Sequence, residues 1–234
     1  MKGTLYLIPT TLGDSPISSV IPTDISILLK QIKYFIVEDI RNTRRYLKKV
    51  DQSINIEELT FYELNKHTTD QQKSSYLNVA KKGNNIGVIS EAGCPGVADP
   101  GADIVAAAHQ QNIKVVPLVG PSSILLSLMA SGMNGQSFAF NGYLPIKSGE
   151  RAKAIAHLEG LSLREKQTQI FIEAPYRNNH LLKDILAVCN AKTKVCVACD
   201  ITLETEFIKT KTVAQWKGSM PELHKKPTIF LIQG

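Results

Sequence analysis

The sequence predicts an α/β protein of two α/β domains with mixed sheets and a ligand cleft between them. Three observations carry this. Short β-branched runs alternate with helix-length amphipathic segments over nearly all of the 234 residues. Glycine- and proline-rich connections follow several of the strand-like runs. No repeat, low-complexity tract or flexible linker interrupts the rhythm, so the halves, residues 1–118 and 119–234, are expected to pack against each other.

The elements follow in order. Leu5 to Ile8 is a strand ending at Pro9. Pro22, Thr23 and Asp24 open a helix that runs through Ile25, Leu28, Leu29 and Ile32, with proline near the first helical position and an acid in the first turn. Tyr34 to Val37 is a second strand, followed at once by Glu38 and Asp39 and by a short helix from about Arg41. A helix from about Asp70 to Lys82 stops at Gly83, Ile86 to Ile89 is a buried strand, and a helix near Ala102 to Gln111 leads to the strand Ile113 to Val116. The pattern then restarts with a helix over Ser122 to Ser131 and a strand near Phe138 to Phe140. A helix from about Glu150, the strand Gln169 to Ile172, a helix near Asn178 to Cys189 and the strand Lys194 to Cys199 come next. Glu206 to Thr212 alternates like an edge strand, and Thr228 to Ile232 is the last strand-like run.

Composition narrows the function classes. At 43 % apolar residues the chain is too apolar for disorder and long enough for proper cores. The net charge of +6 permits an anionic partner without requiring one. Residues 1–117 hold 13 basic and 12 acidic side chains against 14 and 9 in 118–234, so the excess sits in the second half. Four cysteines are too few for a secreted disulfide scaffold and predict reduced, cytoplasmic thiols. The opening MKGTLYLIPTTLG reads as a strand rather than a signal peptide. Val115 to Ile146 carries no charge over 32 residues, yet Pro117, Gly120, Pro121, Gly132 and Gly135 interrupt it. It is expected to be a domain junction and part of a ligand pocket, not a membrane span.

The most informative segment is Ser90-Glu-Ala-Gly-Cys-Pro-Gly-Val-Ala-Asp-Pro-Gly101, between a buried strand and a helix, where ligand loops of open α/β sheets lie. Its length exceeds the 2–6 residues usual for such connections. The glycines are spaced G-x-x-G-x-x-x-x-G and no lysine is present, so neither a dinucleotide fingerprint nor a P-loop is built. A neutral or zwitterionic, adenosine-like cofactor suits this loop better than a nucleoside triphosphate. Pro9-Thr-Thr-Leu-Gly-Asp14 and Gly120-Pro-Ser-Ser123 follow strands in the same way.

Those three segments, with Glu38-Asp-Ile-Arg-Asn-Thr43 and Gly142-Tyr-Leu-Pro145, resemble the ordered motifs of the tetrapyrrole methylase family. Within it they are most similar to the bacterial enzymes that methylate a ribose 2′-oxygen of 16S ribosomal RNA. The resemblance runs from residue 4 to the end, with its specific motifs in the first 145 residues. It implies two α/β domains, S-adenosylmethionine in the cleft between them, and a homodimer. It further implies that Pro9, Leu12, Gly13, Ser90, Gly93, Cys94, Val97, Ala98, Ser122 and Ser123 line the cofactor pocket, joined from the second half by Ala174, Asp200 and Pro227. Departures from the family pattern fall at Thr11, Leu12, Asp14, Ile40, Glu91, Cys94 and the run Cys199 to Glu204.

Methyl transfer to a hydroxyl needs an oriented acceptor and a group that takes its proton. Glu38 and Asp39, at a strand's end, are the candidate catalytic acids; Asp39 also holds the position of a helix N-cap, and Glu173 ends a strand in the second half. Arg41, Arg44, Arg45 and Lys48 make a basic stripe at i, i+3, i+4 and i+7, which suits either a solvated face or RNA phosphates. Tyr176 and Arg177 add an aromatic and a charge from the second half, and His67 is the one histidine placed as a substrate contact. Cys196-x-x-Cys199 lies in an apolar strand with no second ligand pair, so buried thiols, not a metal, are expected.

The expected function is therefore an S-adenosylmethionine-dependent methyltransferase acting on a ribose 2′-oxygen of small-subunit ribosomal RNA, with the RNA or the small subunit as partner. Two other functions fit the same residues: methylation of a tetrapyrrole, and cofactor binding without catalysis in a ribosome-associated module.

Overall fold

The computed structural model describes residues 1–234 and divides into two compact units, Met1–Ser122 and Ser123–Gly234. The first unit runs β1 (Thr4–Ile8), α1 (Ile17–Val20), α2 (Thr23–Leu29), β2 (Tyr34–Val37), α3 (Ile40–Val50), β3 (Thr60–Glu63), α4 (Asp70–Tyr76), α5 (Asn78–Lys81), β4 (Ile86–Ile89), α6 (Gly101–Gln110) and β5 (Lys114–Pro117). Its five strands pair in the order β3-β2-β4-β1-β5, every pair parallel. This sheet is thus uniformly parallel rather than mixed.

Parallel strands need both faces covered, and alternate side chains do this here. Leu5, Ile36, Ile86 and Val88 face Leu77, Ala80, Ile104 and Ala108 of the α4 to α6 layer. Ile8, Phe35, Val37 and Ile89 face Ile25, Leu29 and Leu47 of α2 and α3. Gly87 lies between them because a Cβ there would come within 2.4 Å of Ile8 Cδ1. Two expectations are corrected. The helix over 70–82 is two helices that meet at the fully buried Leu77, where ψ is −3°. Thr60–Glu63 is an added edge strand; only Phe61 and Tyr62 are half-buried on it, too weak a pattern to read from four residues.

The second unit runs α7 (Ser123–Ser131), β6 (Phe138–Tyr143), α8 (Ser148–Glu165), β7 (Thr168–Ile172), α9 (Asn178–Val188), β8 (Lys194–Cys199), β9 (Phe207–Thr212), α10 (Val213–Trp216) and β10 (Thr228–Gln233). The sheet order is β6-β7-β10-β8-β9, with β6 and β7 parallel and the other pairs antiparallel. The strand of highest residue number, β10, is therefore the central one. Val195, Val197 and Cys199 point into a core with Phe171, Phe230 and residues of α8 and α9, while Cys196 lies outside that cluster, on alternate register. All three cysteines of this unit are buried and free. Trp216 is buried with them, its indole N–H donating to Val195 O at 2.9 Å. The strand near 138 runs on to Tyr143 through a register shift after Phe140, where Gly142 takes a φ of +61°. No helix is long and apolar enough to cross a membrane.

Candidate functional site

In a parallel sheet every strand delivers its following loop to the same edge. In the first unit the loops after β2, β4, β1 and β5 stand side by side there, because those strands are neighbours. Contacts join three of them. Thr10 N–H donates to Gly93 O at 2.9 Å, and Thr10 Oγ1 to Ser90 O at 3.3 Å. The Cys94 thiol lies 3.4 Å from Pro121 O and 3.6 Å from Gly120 O. A Cβ on Gly93, whose φ is +74°, would press on Leu12 Cδ2 at 3.1 Å and Pro121 O at 3.2 Å. A Cβ on Gly120 would overlap the ring of Pro9. Pro9, Leu12, Gly13, Ser90, Gly93, Cys94, Val97, Ala98 and Ser122 thus belong to one assembly of loops.

The long loop is built to hold its shape. Asp99 Oδ1 accepts from Gly96 N–H at 2.8 Å and Gly101 N–H at 2.7 Å, closing the turn on itself. Ala98 sits at φ +61°, a left-handed conformation uncommon for a residue with a side chain, and Val97 is half exposed. Burial pushes the Cys94 thiol up, so it is a packing group rather than a thiolate.

Next to these loops, Glu38 is half-buried and accepts from Glu91 N–H at 3.4 Å. Burial, with the carboxylates of Asp99 and Glu91 nearby, outweighs that hydrogen bond and raises its pKa above the usual carboxylate value. Asp39 is engaged differently: its Oδ1 accepts from Asn42 N–H at 2.8 Å as the N-cap of α3. The two adjacent acids therefore have separate environments, one desolvated and one committed to a helix end.

Arg41, Arg44 and Arg45 are exposed along α3, with the Arg44 guanidinium over the Phe61 ring at 5.4 Å. Lys48 is half-buried and donates to Gln52 O. His67 is exposed in the turn after β3, on the far side of β2 from the joined loops. Sequence reasoning missed the inner face of α3. Tyr46 donates its hydroxyl to Pro9 O at 2.6 Å, and Asn42 Nδ2 donates to Glu91 Oε2 at 2.8 Å. Asn42, Thr43 and Tyr46 fall at i, i+1 and i+4, a polar counterpart to the stripe that the sequence does display.

In the second unit Ser123 opens α7, while Ala174, Asp200 and Pro227 collect at the edge where β7 and β8 end and β10 begins. Asp200 N–H donates to Pro227 O at 2.9 Å. Glu173, almost wholly buried, accepts from Ala174 N–H at 2.7 Å and pairs with Arg177 Nη2 at 2.6 Å. Burial alone would raise its pKa, but the Arg177 guanidinium and the Ala174 N–H hold it below the usual value. Arg177 lies over the exposed Tyr176 ring at 4.9 Å and donates to its hydroxyl at 2.8 Å.

No family model matches the chain. Among curated proteins it is 31 % identical over 233 residues to the ribosomal RNA small subunit methyltransferase I of Vibrio cholerae, an alignment covering 98 % of this chain and 77 % of that one. It is 30 % identical to the protein of the same name from Buchnera aphidicola, covering 98 % and 78 %. Among solved structures it is similar to the methyltransferase CobJ, with a TM-score of 0.65 at 16 % identity, covering 99 % of this chain and 94 % of that one. A uroporphyrin-III-C-methyltransferase from Thermus thermophilus gives 0.56 at 14 % over the same shares. Both structures share the fold.

Proposed function

The chain belongs to the ribosomal RNA small subunit methyltransferase I family and is a methyltransferase, and from that premise we propose that it methylates a ribose 2′-oxygen of small-subunit ribosomal RNA with S-adenosylmethionine as donor. The observation that carries this reading is the joined set of loops beside the desolvated carboxylate of Glu38. The donor set fits the cofactor: residues 9–14, 90–101 and 118–123 contain no lysine or arginine, and they offer main-chain groups and a close backbone approach at Gly93 and Gly120. When bound, S-adenosylmethionine supplies an electrophilic methyl group on a sulfonium. Pro9, Leu12, Gly13, Ser90, Gly93, Cys94, Val97, Ala98 and Ser122 of the first unit would hold it.

Glu38 would take the proton of the 2′-hydroxyl that receives the methyl group. A carboxylate with a raised pKa is a stronger base than an exposed one, and burial supplies that here. Asp39 acts as a positioning residue by fixing the first turn of α3. Arg41, Arg44 and Arg45 bind phosphates, and Tyr176 with Arg177 offers a stacking surface for a base. His67 is a further RNA contact. The second unit exposes Leu125, Met129, Tyr143 and Ile146 within its uncharged stretch, which supports burial against a second copy in a homodimer. The buried free thiols suit a reducing cytoplasm.

The test is calorimetry with S-adenosylmethionine followed by methyl-label transfer to small ribosomal subunits, naked ribosomal RNA and a uroporphyrinogen-type acceptor. Label in a 2′-O-methylated nucleoside is the expected result. Transfer to the macrocycle alone overturns the RNA reading, and binding of cofactor and subunits without transfer to any acceptor overturns the catalytic one.

A further inference from the structure

Helix α3 grips the loop after β1 at both ends. The helix itself is fixed to the sheet, because Thr43 and Leu47 are buried and Leu47 shares a core cluster with Ile8, Phe35 and Val37. From that base the Tyr46 hydroxyl donates to Pro9 O at 2.6 Å, where the loop begins. Lys49 Nζ donates to Ser15 O at 3.0 Å and pairs with Asp14 Oδ1 at 2.6 Å, where the loop ends. Thr11, Leu12 and Gly13 span the stretch between the two grips. Asn42, which donates to Glu91 of the long loop, completes a stripe at i, i+4 and i+7 with Tyr46 and Lys49. Arg41 and Arg45 lie on the neighbouring stripe, about 100° round the helix, so Lys49 is set apart from the cations assigned to phosphates.

We propose that Tyr46 and Lys49 are positioning residues for the methyl donor: by holding both ends of the loop after β1 they set the place of Leu12 and Gly13, and with it the affinity for S-adenosylmethionine. The inference rests on the cofactor reading above and adds two residues outside the set assigned to hold the donor. A loop fixed in advance loses less freedom when a ligand settles on it, so the grip acts through preorganisation. Tyr46 carries the larger share. Pro9 is buried, and its carbonyl would lose its phenol donor if the hydroxyl were removed. Burial pushes the Tyr46 phenol up, which keeps it a neutral donor throughout the working pH range. The Lys49–Asp14 pair contributes little as an ion pair, because the Asp14 side chain is 98 % exposed. Its use is to keep the ammonium over the carbonyl of buried Ser15. Asp14 is also a position where this chain departs from the family pattern, so the second grip is a feature of this chain.

The experiment is calorimetry of the full chain with S-adenosylmethionine, joined to amide hydrogen exchange without it. Tyr46→Phe is expected to weaken donor binding about fivefold, the equivalent of one hydrogen bond. Lys49→Met is expected to weaken it about two- to fivefold, and the two together by at least the product. Exchange at residues 11–13 quickens in both variants while that of β4 stays as in the parent. In turnover KM for the donor rises by more than kcat falls, because the loss is one of binding. Lys33→Met removes the surface pair with Glu58 on the same unit and serves as the control, with parental donor affinity. The salt slope of RNA binding is unchanged in Lys49→Met, as it is for a lysine that holds a loop and not a phosphate. Parental donor affinity in the double variant, or an equal loss in Lys33→Met, overturns this proposal and leaves the cofactor reading standing. A kcat that falls with KM unchanged, or a salt slope lowered by about one, overturns the positioning role as well. Failure of the unaltered chain to bind the donor overturns the cofactor reading and this one together.

Discussion

Pro9 and Gly120 are locked against each other: a Cβ added to Gly120 would lie 2.1 Å from Pro9 Cβ and 2.4 Å from Pro9 Cγ. One loop follows β1 and the other follows β5, so the missing side chain sets how closely the two approach. Gly120→Ala is expected to destabilise the chain by about 1–3 kcal/mol through overpacking and to weaken S-adenosylmethionine binding measured by calorimetry. Gly149→Ala, where nothing lies within 4 Å, is the control and leaves both unchanged or raises the melting temperature.

Glu38→Gln separates stability from activity. A raised pKa means the folded state prefers the protonated carboxyl, so the stability it contributes is present at acid pH and lost as pH rises through the folded value. At neutral pH the glutamine chain is therefore expected to melt higher than the parent while methyl transfer falls by about 10²–10⁴-fold. Parent activity rises with pH through the raised Glu38 value. A Glu38→Gln chain with normal turnover removes Glu38 from the proton transfer.

The basic stripe is checked by salt. Arg41→Glu with Arg45→Glu is expected to lower RNA affinity and to reduce the slope of log affinity against log salt by roughly 2, one per lost phosphate contact. Affinity for S-adenosylmethionine stays constant. An unchanged slope makes the stripe an ordinary solvated face.

Arg177→Ala leaves the Glu173 carboxylate buried without its cation and is expected to cost about 3 kcal/mol in denaturant unfolding at neutral pH. Because Glu173 is held below the usual carboxylate value, its contribution is present above that value and disappears as pH falls through the folded one. The gap between Arg177→Ala and the parent is thus expected to narrow in acid, and Glu173→Ala in the Arg177→Ala background recovers part of the loss. A gap that does not change with pH assigns Arg177 a packing role alone.

Much of this molecule is readable in its sequence, for a physical reason that varies by region. Ile86–Ile89 is legible because a strand buried on both faces must be apolar throughout. The loop Ser90–Gly101 is legible because close backbone approach requires glycine, as Gly93 and Gly101 show. Leu77 is the opposite case: two helices meet there, it is buried against residues distant in sequence, and the local pattern is helical on both sides. The role of Asn42 is equally hidden. Its partner Glu91 is 49 positions away, and only the pairing of β2 with β4 brings the two together. Asp39 was legible in two roles, and the hydrogen bond from Asn42 N–H realises the N-cap.

The central place of β10 in the second sheet sets the order in which the molecule can be made. Every strand of the first unit is available once residue 117 has been synthesised, so that sheet can close early in translation. The second sheet cannot: until Thr228–Gln233 arrives, β7 and β8 have no partner between them, and each presents an open apolar edge. The nascent chain therefore passes through a stage with a folded first half and a second half vulnerable to misassembly. Substitutions that weaken β10 are expected to show first as lost yield of soluble protein during synthesis, before any change in the properties of the molecules that do fold.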